Sequence, residues 1–309
     1  MSDRVQLSLC IPTNGVIQWV FPVLESIYSQ GVDNSLFEVV ITDNGDNQEF
    51  KDKIREYIKH HDNIVYAETK ALPFINEIES YKRARGELIK FVNHRTLLDG
   101  GSLQKLVDYA KENQKEKPIT YFANGVLKIS KSKHEYKTFN DFVKNLSYWS
   151  SWSTGMTIWK DDFDKLPEDV SDFNELFPHT NVLFNERKRE KYVIDNTVIF
   201  KEMAQGKKPK GNYDLYYAFG VEYPMIIENL LKDGSIKEDV YRFVLDKNLE
   251  FIAMLYWEYN IRKNYCSYDL RGLDNMFGKY YSRFELHRKV VAQVFVRLNM
   301  KMWRVFKNA

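Results

Sequence analysis

The chain has 309 residues, 44% hydrophobic and 28% charged, enough apolar material for a sizeable core, which excludes disorder as its main state. A net charge of +2 gives no global pull toward nucleic acid, and the two cysteines, Cys10 and Cys266, stand far apart with no His or Cys at metal-ligand spacing, so neither a disulfide framework nor a zinc site is indicated. The opening MSDRVQ lacks the basic-then-apolar pattern of a signal peptide and no apolar run reaches the roughly 20 residues that span a bilayer, so the expectation is a cytoplasmic protein that does not cross a membrane.

Residues 5 to 12, VQLSLCIP, read as a short apolar strand closed by proline. From Ile17 to Gln30, Val20, Val23, Leu24 and Ile27 fall at helical spacing and Gly31 stops the run. A second strand, FEVVIT over 37 to 42, ends in the turn-forming DNGDN. A helix from Glu49 to His60, a strand from Asn63 to Ala67, a helix over Ile75 to Ala84 and a strand at 87 to 92 continue the alternation. Such alternation predicts a mostly parallel sheet flanked by helices, with ligands held beyond the carboxyl ends of the strands, in the loops after Ile11, Thr42 and Val92.

A helix over 102 to 115 and strands at 119 to 130 and 154 to 160 follow, and beyond Val221 the pattern turns helical. The segment GKKPKGN, 206 to 212, is the candidate mobile loop. No G-x-G-x-x-G marks a dinucleotide site, and no Gly-rich, basic phosphate loop follows the first strand as a nucleotidyltransferase would need.

Taken together, LSLCIPTNG (7 to 15), LESIYSQ (24 to 30), FEVVITDNGDN (37 to 47), ARGELIKFV (84 to 92) and LLDGGSLQKLV (97 to 107) resemble the opening blocks of family 2 glycosyltransferases of the GT-A fold. A weaker similarity to the abequosyltransferase-like branch runs through TGMTIWKDDF (154 to 163) and FPHTNVLF (177 to 184). The resemblance implies an α/β, GT-A type, Rossmann-like sheet with a helical C-terminal region: a nucleotide-sugar-binding and catalytic domain over 1–220 and a helical region over 221–309. It also implies an inverting transfer of sugar from a nucleotide-sugar donor, UDP or dTDP favoured, to a glycan or lipid-linked acceptor in capsule or O-antigen assembly.

On the same grounds Pro12 and Thr13 would place backbone against the nucleotide, and Asp43 would accept a hydrogen bond from the imide N–H of uracil or thymine. Asn14 and Asn44 complete that loop pair, although Asp43, Asn14 and Asp46 are also ordinary turn formers. Relatives carry Asp-x-Asp after the fourth strand, where it holds a divalent ion, Mg or Mn, against the diphosphate; here Asn93, His94 and Arg95 stand instead, and no carboxylate occurs until Asp99. Either Arg95 supplies the positive charge in place of the metal, or the site binds without catalysis; His94 is a candidate metal ligand, but a lone His is seldom enough for a hard cation.

The resemblance places the general base after the strand at 154 to 160, where the candidates are Asp172, Glu175 and His179. Trp149 and Trp152 are candidates for stacking on an acceptor sugar, with core packing as the plain alternative.

From Lys279 onward Arg283, Arg288, Lys289, Arg297, Lys301, Arg304 and Lys307 add seven further basic residues against Glu285 alone. Val291, Val294, Leu298 and Met302 recur among them at helical spacing, with Trp303 and Phe306 near the end. This reads as a basic amphipathic helix for the inner face of the cell membrane, or one docked on the body or on a second subunit of a homo-oligomer.

Overall fold

The computed structural model describes residues 5–129, 131–203 and 213–307, with side chains of the last helix given as far as Phe295. The segment 206 to 212, read above as a loop, lies outside the described residues. The chain divides into two compact units, one of Met1–Phe142 with Trp149–Ala204, the other of Val143–Tyr148 with Gln205–Ala309.

The first unit opens with β1 (Leu7–Thr13), α1 (Ile17–Tyr28), β2 (Phe37–Asp43), α2 (Gln48–Tyr57), β3 (Ile64–Glu68), α3 (Asn76–Arg83) and β4 (Leu88–Phe91). It continues through β5 (Thr96–Leu98), α4 (Ser102–Glu112), β6 (Ile119–Phe122), β7 (Lys133–Tyr136) and the start of α5 (Phe139–Leu146). After α5 come β8 (Thr157–Trp159), α6 (Lys160–Phe163), α7 (Pro178–Leu183), β9 (Tyr192–Asp195) and β10 (Phe200–Glu202).

The main sheet has the order β3-β2-β1-β4-β8. Its first four strands run parallel and only β8 is antiparallel, so the mostly parallel α/β architecture is present. Leu7, Leu9 and Ile11 of β1 and Val39 and Ile41 of β2 are fully buried and meet Val20, Val23, Leu24 and Ile27 of α1, the helical stripe that the sequence displays. In register Thr13 lies opposite Asp43, and Asp43 opposite Glu68, so three strands end side by side.

One strand is shorter than its sequence suggests. The run 119 to 130 holds β structure only to Phe122, because Asn124 and Gly125 take positive φ values of 52° and 77° and turn the chain. The Asn124 Oδ1 then accepts the backbone N–H groups of Ile199 and Phe200, each at 2.8 Å, which ties this turn to β10. Strand β10 pairs with β5, while β6, β9 and β7 form a third sheet; none of these three short pairings shows as a run of alternation in the sequence.

The second unit holds α8 (Leu215–Tyr217), α9 (Tyr223–Lys232), α10 (Glu238–Tyr256) and α11 (Arg283–Lys307), with π-helical turns at Ala218–Glu222 and Trp257–Ile261. Buried Asn248 of α10 donates to the Phe219 carbonyl at 2.7 Å and to the Tyr281 hydroxyl at 2.9 Å, satisfying polar groups that would otherwise be stranded in an apolar helix packing. Among the described residues no helix is long and apolar enough to cross a membrane.

Candidate functional site

The crevice begins where β1 and β2 end. Asp43 is 1% exposed; its Oδ1 accepts the Gly45 N–H at 2.9 Å and its Oδ2 accepts the Tyr66 hydroxyl at 3.2 Å. Burial pushes the Asp43 carboxyl above its usual range, against the opposing pull of these two donors. Burial, followed by the charge of Asp43, pushes the Tyr66 phenol up as well, so it stays protonated and remains a donor. Glu68, the register partner of Asp43, is drawn away by Lys51 at 2.8 Å.

The two loops are locked to one another. Asn44 N–H donates to the Thr13 carbonyl at 3.0 Å, and the Asn44 side chain donates to the Ala71 carbonyl at 3.0 Å. Gly45 lies so close to Asn14 that a Cβ there would stand 2.2 Å from the Asn14 carbonyl oxygen, so only glycine lets the loops close. Asn14 itself is exposed and Pro12 half-buried.

Beneath them Asn76, at the start of α3, donates to the carbonyls of Thr42 at 2.9 Å and Thr13 at 3.3 Å, and its Oδ1 accepts the Thr69 hydroxyl at 2.7 Å. This buried amide is what fixes the spacing of the two strand ends. The sequence shows it only as a polar residue at the first turn of an amphipathic helix, which is why it was not among the expected site residues.

The third wall is the loop after β4. Thr13 Oγ1 accepts the Gly15 N–H at 3.1 Å and lies 2.9 Å from His94 Nδ1. Burial, with the Arg95 charge adding to it, pushes the His94 pKa down to about 3, so the imidazole is neutral at ordinary pH. The Arg95 backbone N–H donates to Asn93 Oδ1 at 3.0 Å, and the Arg95 guanidinium carbon sits 5.1 Å from the centre of the Trp19 ring, which also packs on His94 at 5.0 Å. Arg95 Nη1 is buried and has no hydrogen-bond partner. Trp19, in the first turn of α1, is a further residue of this wall; the sequence marks it only as one aromatic in the helix that follows Pro-Thr-Asn-Gly.

The loop does not fit a divalent ion. His94 is engaged by Thr13, Arg95 places a cation beside it, and Asp99 is ion-paired with Lys201. Among the described residues no group of three His, Cys, Asp or Glu gathers as a metal site.

The remaining candidates stand elsewhere in the unit. Asp172 and Glu175 are exposed in the loop ahead of α7. His179, in the first turn of α7, is 4% exposed, with Nε2 at 3.0 Å from the Ser151 carbonyl and Nδ1 at 3.4 Å from Glu77 Oε1. Glu77 follows Asn76 directly on α3, so one helical turn touches both the strand ends and His179. Trp149 and Trp152 are half-buried, their rings 6.2 Å apart and edge to face, and both of their carbonyls accept the Tyr121 hydroxyl, at 2.6 and 2.8 Å.

A family model described as "Glycosyl transferase family 2" matches residues 8–173, more than half of the chain. No match was found among curated proteins. Among solved structures the chain is similar to the 1-349 fragment of S. aureus TarS in complex with UDP-GlcNAc, with a TM-score of 0.58 and 15% identity over 89% of this chain and 80% of that one. It is also similar to the mannosyltransferase PcManGT from Pyrobaculum calidifontis in complex with GDP-Man and Mn2+, with a TM-score of 0.55 and 12% identity over 96% of this chain and 87% of that one. Against the longer S. aureus TarS the chain spans 43% of that protein's length, with a TM-score of 0.53 and 17% identity over 79% of this chain. At these identities the likeness is one of fold.

Proposed function

Because the chain belongs to glycosyl transferase family 2, we propose that it moves a sugar from a nucleotide-sugar donor to a glycan or lipid-linked acceptor. The observations that carry this reading are a buried carboxylate at a strand end, Asp43, and, in the loop that meets the neighbouring strand end through Thr13 and His94, a buried guanidinium nitrogen of Arg95 without a hydrogen-bond partner. A carboxylate reads the imide N–H of a pyrimidine base, and a buried cation lacking an acceptor answers a diphosphate. UDP or dTDP is therefore the favoured carrier. The start of α1 adds to this, since it carries no side-chain cap and presents its N–H groups just after β1.

Since Asn93, His94 and Arg95 do not suit Mg or Mn, the charge developing on the departing diphosphate falls to Arg95. Its fork can bind two oxygens at once, and its stack on Trp19 holds it in place before the sugar leaves. Attack by the acceptor hydroxyl with inversion needs a base on the acceptor side. His179 Nε2 lies 3.0 Å from the Ser151 carbonyl, while its buried Nδ1, 3.4 Å from Glu77 Oε1, has no hydrogen-bond partner, so His179 stands beside the exposed carboxylates of Asp172 and Glu175 as a candidate to take that proton. Trp149 and Trp152 supply flat faces for an acceptor sugar. A role in capsule or O-antigen assembly, with kinship to the abequosyltransferase-like branch, is the context we favour, and an acceptor carried on lipid would bring the enzyme to the inner leaflet.

The replacement of Asp-x-Asp also supports a second reading, a subunit that binds nucleotide-sugar without turnover. A thermal-shift panel of UDP-, dTDP-, CDP- and GDP-sugars, followed by transfer and hydrolysis assays with and without chelator, separates the two. Stabilisation by a pyrimidine donor with chelator-resistant turnover is the expected result. Stabilisation with no turnover on any donor selects the second reading, and stabilisation by none sinks both.

A further inference from the structure

We propose that Thr13 fixes the tautomer of His94, so that His94 offers its Nε2–H as a neutral hydrogen-bond donor to the same anionic group of a nucleotide-sugar that Arg95 meets. The inference rests on the reading of the crevice as a nucleotide-sugar site, and it gives His94 a role other than that of a metal ligand. A threonine hydroxyl has one hydrogen to give and two lone pairs to receive with. At Thr13, 3% exposed, Oγ1 accepts the Gly15 N–H at 3.1 Å. That donor is held in place, because Gly15 takes a φ of 76° and its carbonyl accepts the Asn47 amide at 2.8 Å. Among the described residues the one other polar atom that meets Oγ1 is His94 Nδ1, at 2.9 Å. Were Nδ1 to carry a hydrogen, the Thr13 hydroxyl would face two donors and keep its own proton without an acceptor, which burial penalises. With the hydroxyl donating instead, Nδ1 is bare and the ring proton sits on Nε2.

Nε2–H is then the polar group that His94 has left to offer, and the residue is half-buried rather than enclosed. Trp19 holds the ring at 5.0 Å between ring centres, and the same indole carries the Arg95 guanidinium at 5.1 Å. Two donors of different kinds thus stand around one indole: a neutral N–H and a cation whose buried Nη1 has no acceptor. Burial, with the Arg95 charge adding to it, keeps the imidazole unprotonated, so no second cation repels the first. A neutral donor strengthens the hold on an anion without that repulsion. The opposite tautomer would turn a lone pair toward the same anion and weaken it. In register Thr13 also lies opposite Asp43, so the strand end that flanks the carboxylate is the one that sets this donor.

The tautomer is read by long-range proton–nitrogen NMR of the six histidines, with the His94 signals assigned by their loss in His94→Gln. At about pH 7 the wild-type protein should show a bare Nδ1 and a protonated Nε2. Thr13→Val keeps the side-chain shape without the hydroxyl and should lose that single state, while Thr13→Ser should keep it. A wild-type His94 protonated on Nδ1 overturns the proposal. Affinity for UDP and for dTDP is then measured by titration calorimetry in the presence of chelator. His94→Gln carries an amide N–H out to the Nε2 position and should stay within about threefold of wild type, whereas His94→Asn reaches only the Nδ1 position and should bind about tenfold more weakly. Thr13→Val should bind about threefold more weakly, since part of the protein then holds the wrong tautomer. The wild-type spectrum and the comparison of the two amides decide the matter even where Thr13→Val does not fold. Equal affinity of His94→Gln and His94→Asn overturns the proposal while leaving the transfer reading in place. So does nucleotide binding that chelator abolishes and Mn2+ restores, since that outcome returns His94 to a metal. Failure of the wild-type protein to bind either nucleotide defeats the transfer reading itself, and this inference with it.

Discussion

Two cations sit five residues apart on the same strand and loop, and they are treated in opposite ways. Lys90 of β4 is fully buried in the first unit, and its Nζ donates to the carbonyls of Phe91 at 2.9 Å, Met156 at 3.2 Å and Thr154, beneath the rings of Phe200 and Phe122 at 5.0 and 5.9 Å. Burial pulls its pKa well down, yet every ammonium hydrogen has an acceptor. Arg95, at the crevice, keeps one buried nitrogen with none. A satisfied buried cation holds a fold together, as Lys90 staples β4 to the segment leading into β8. A guanidinium nitrogen buried without an acceptor, as in half-buried Arg95, carries a desolvation cost that an anion would remove.

The contrast is sharpest if each cation is removed in turn. Lys90→Met keeps the stem but takes the ammonium donor from three carbonyls, of which Met156 keeps the Phe91 N–H, and should lower unfolding free energy by about 3 kcal/mol in urea denaturation, with little change in donor KM where the variant still folds. Arg95→Met should do the reverse, cutting donor kcat/KM about thirtyfold, roughly 2 kcal/mol, while stability changes by under about 0.5 kcal/mol or rises. If Arg95→Met costs as much stability as Lys90→Met, the distinction fails. Arg95→Lys keeps charge and loses the fork, so a smaller loss of about fivefold in kcat/KM is expected.

A finer test uses His94. Its pKa lies near 3 in the fold against 6.5 ordinarily, so between those values the unfolded chain takes up a proton that the folded chain refuses. Stability should therefore fall as pH drops from about 6.5 toward about 3, by at most roughly 1.4 kcal/mol per pH unit from this group. In His94→Gln that share of the slope should vanish in pH-dependent denaturation curves. The smallest effect belongs to the exposed pair Glu49 and Lys53, 2.7 Å apart: Lys53→Ala should change stability by less than about 0.5 kcal/mol.

Much of the first unit could be read from the sequence because its signals are local. The β1, α1, β2 and α2 boundaries follow from apolar runs, a 3.6-residue stripe and Asp-Asn-Gly turn chemistry, each contained in a dozen residues. The crevice was half legible. Asp43 and Thr13 are marked by the family resemblance, and Asn93, His94 and Arg95 by standing where that family carries carboxylates. Asn76, Trp19 and Tyr66 do not, since their roles come from contacts with residues 23 to 76 positions away, and no local pattern records such distances. His179 shows the same limit: the groups beside its ring, Ser151 and Glu77, come from other parts of the chain.

The opening turn of α3 carries a further consequence. Asn76 braces the ends of β1 and β2, and its neighbour Glu77 stands beside His179. Inserting or deleting a single residue ahead of this turn would rotate both side chains by about 100° together. Both contacts would thus be lost in one step, which makes this short stretch of helix a common mount for the two strand ends and for the segment that carries His179.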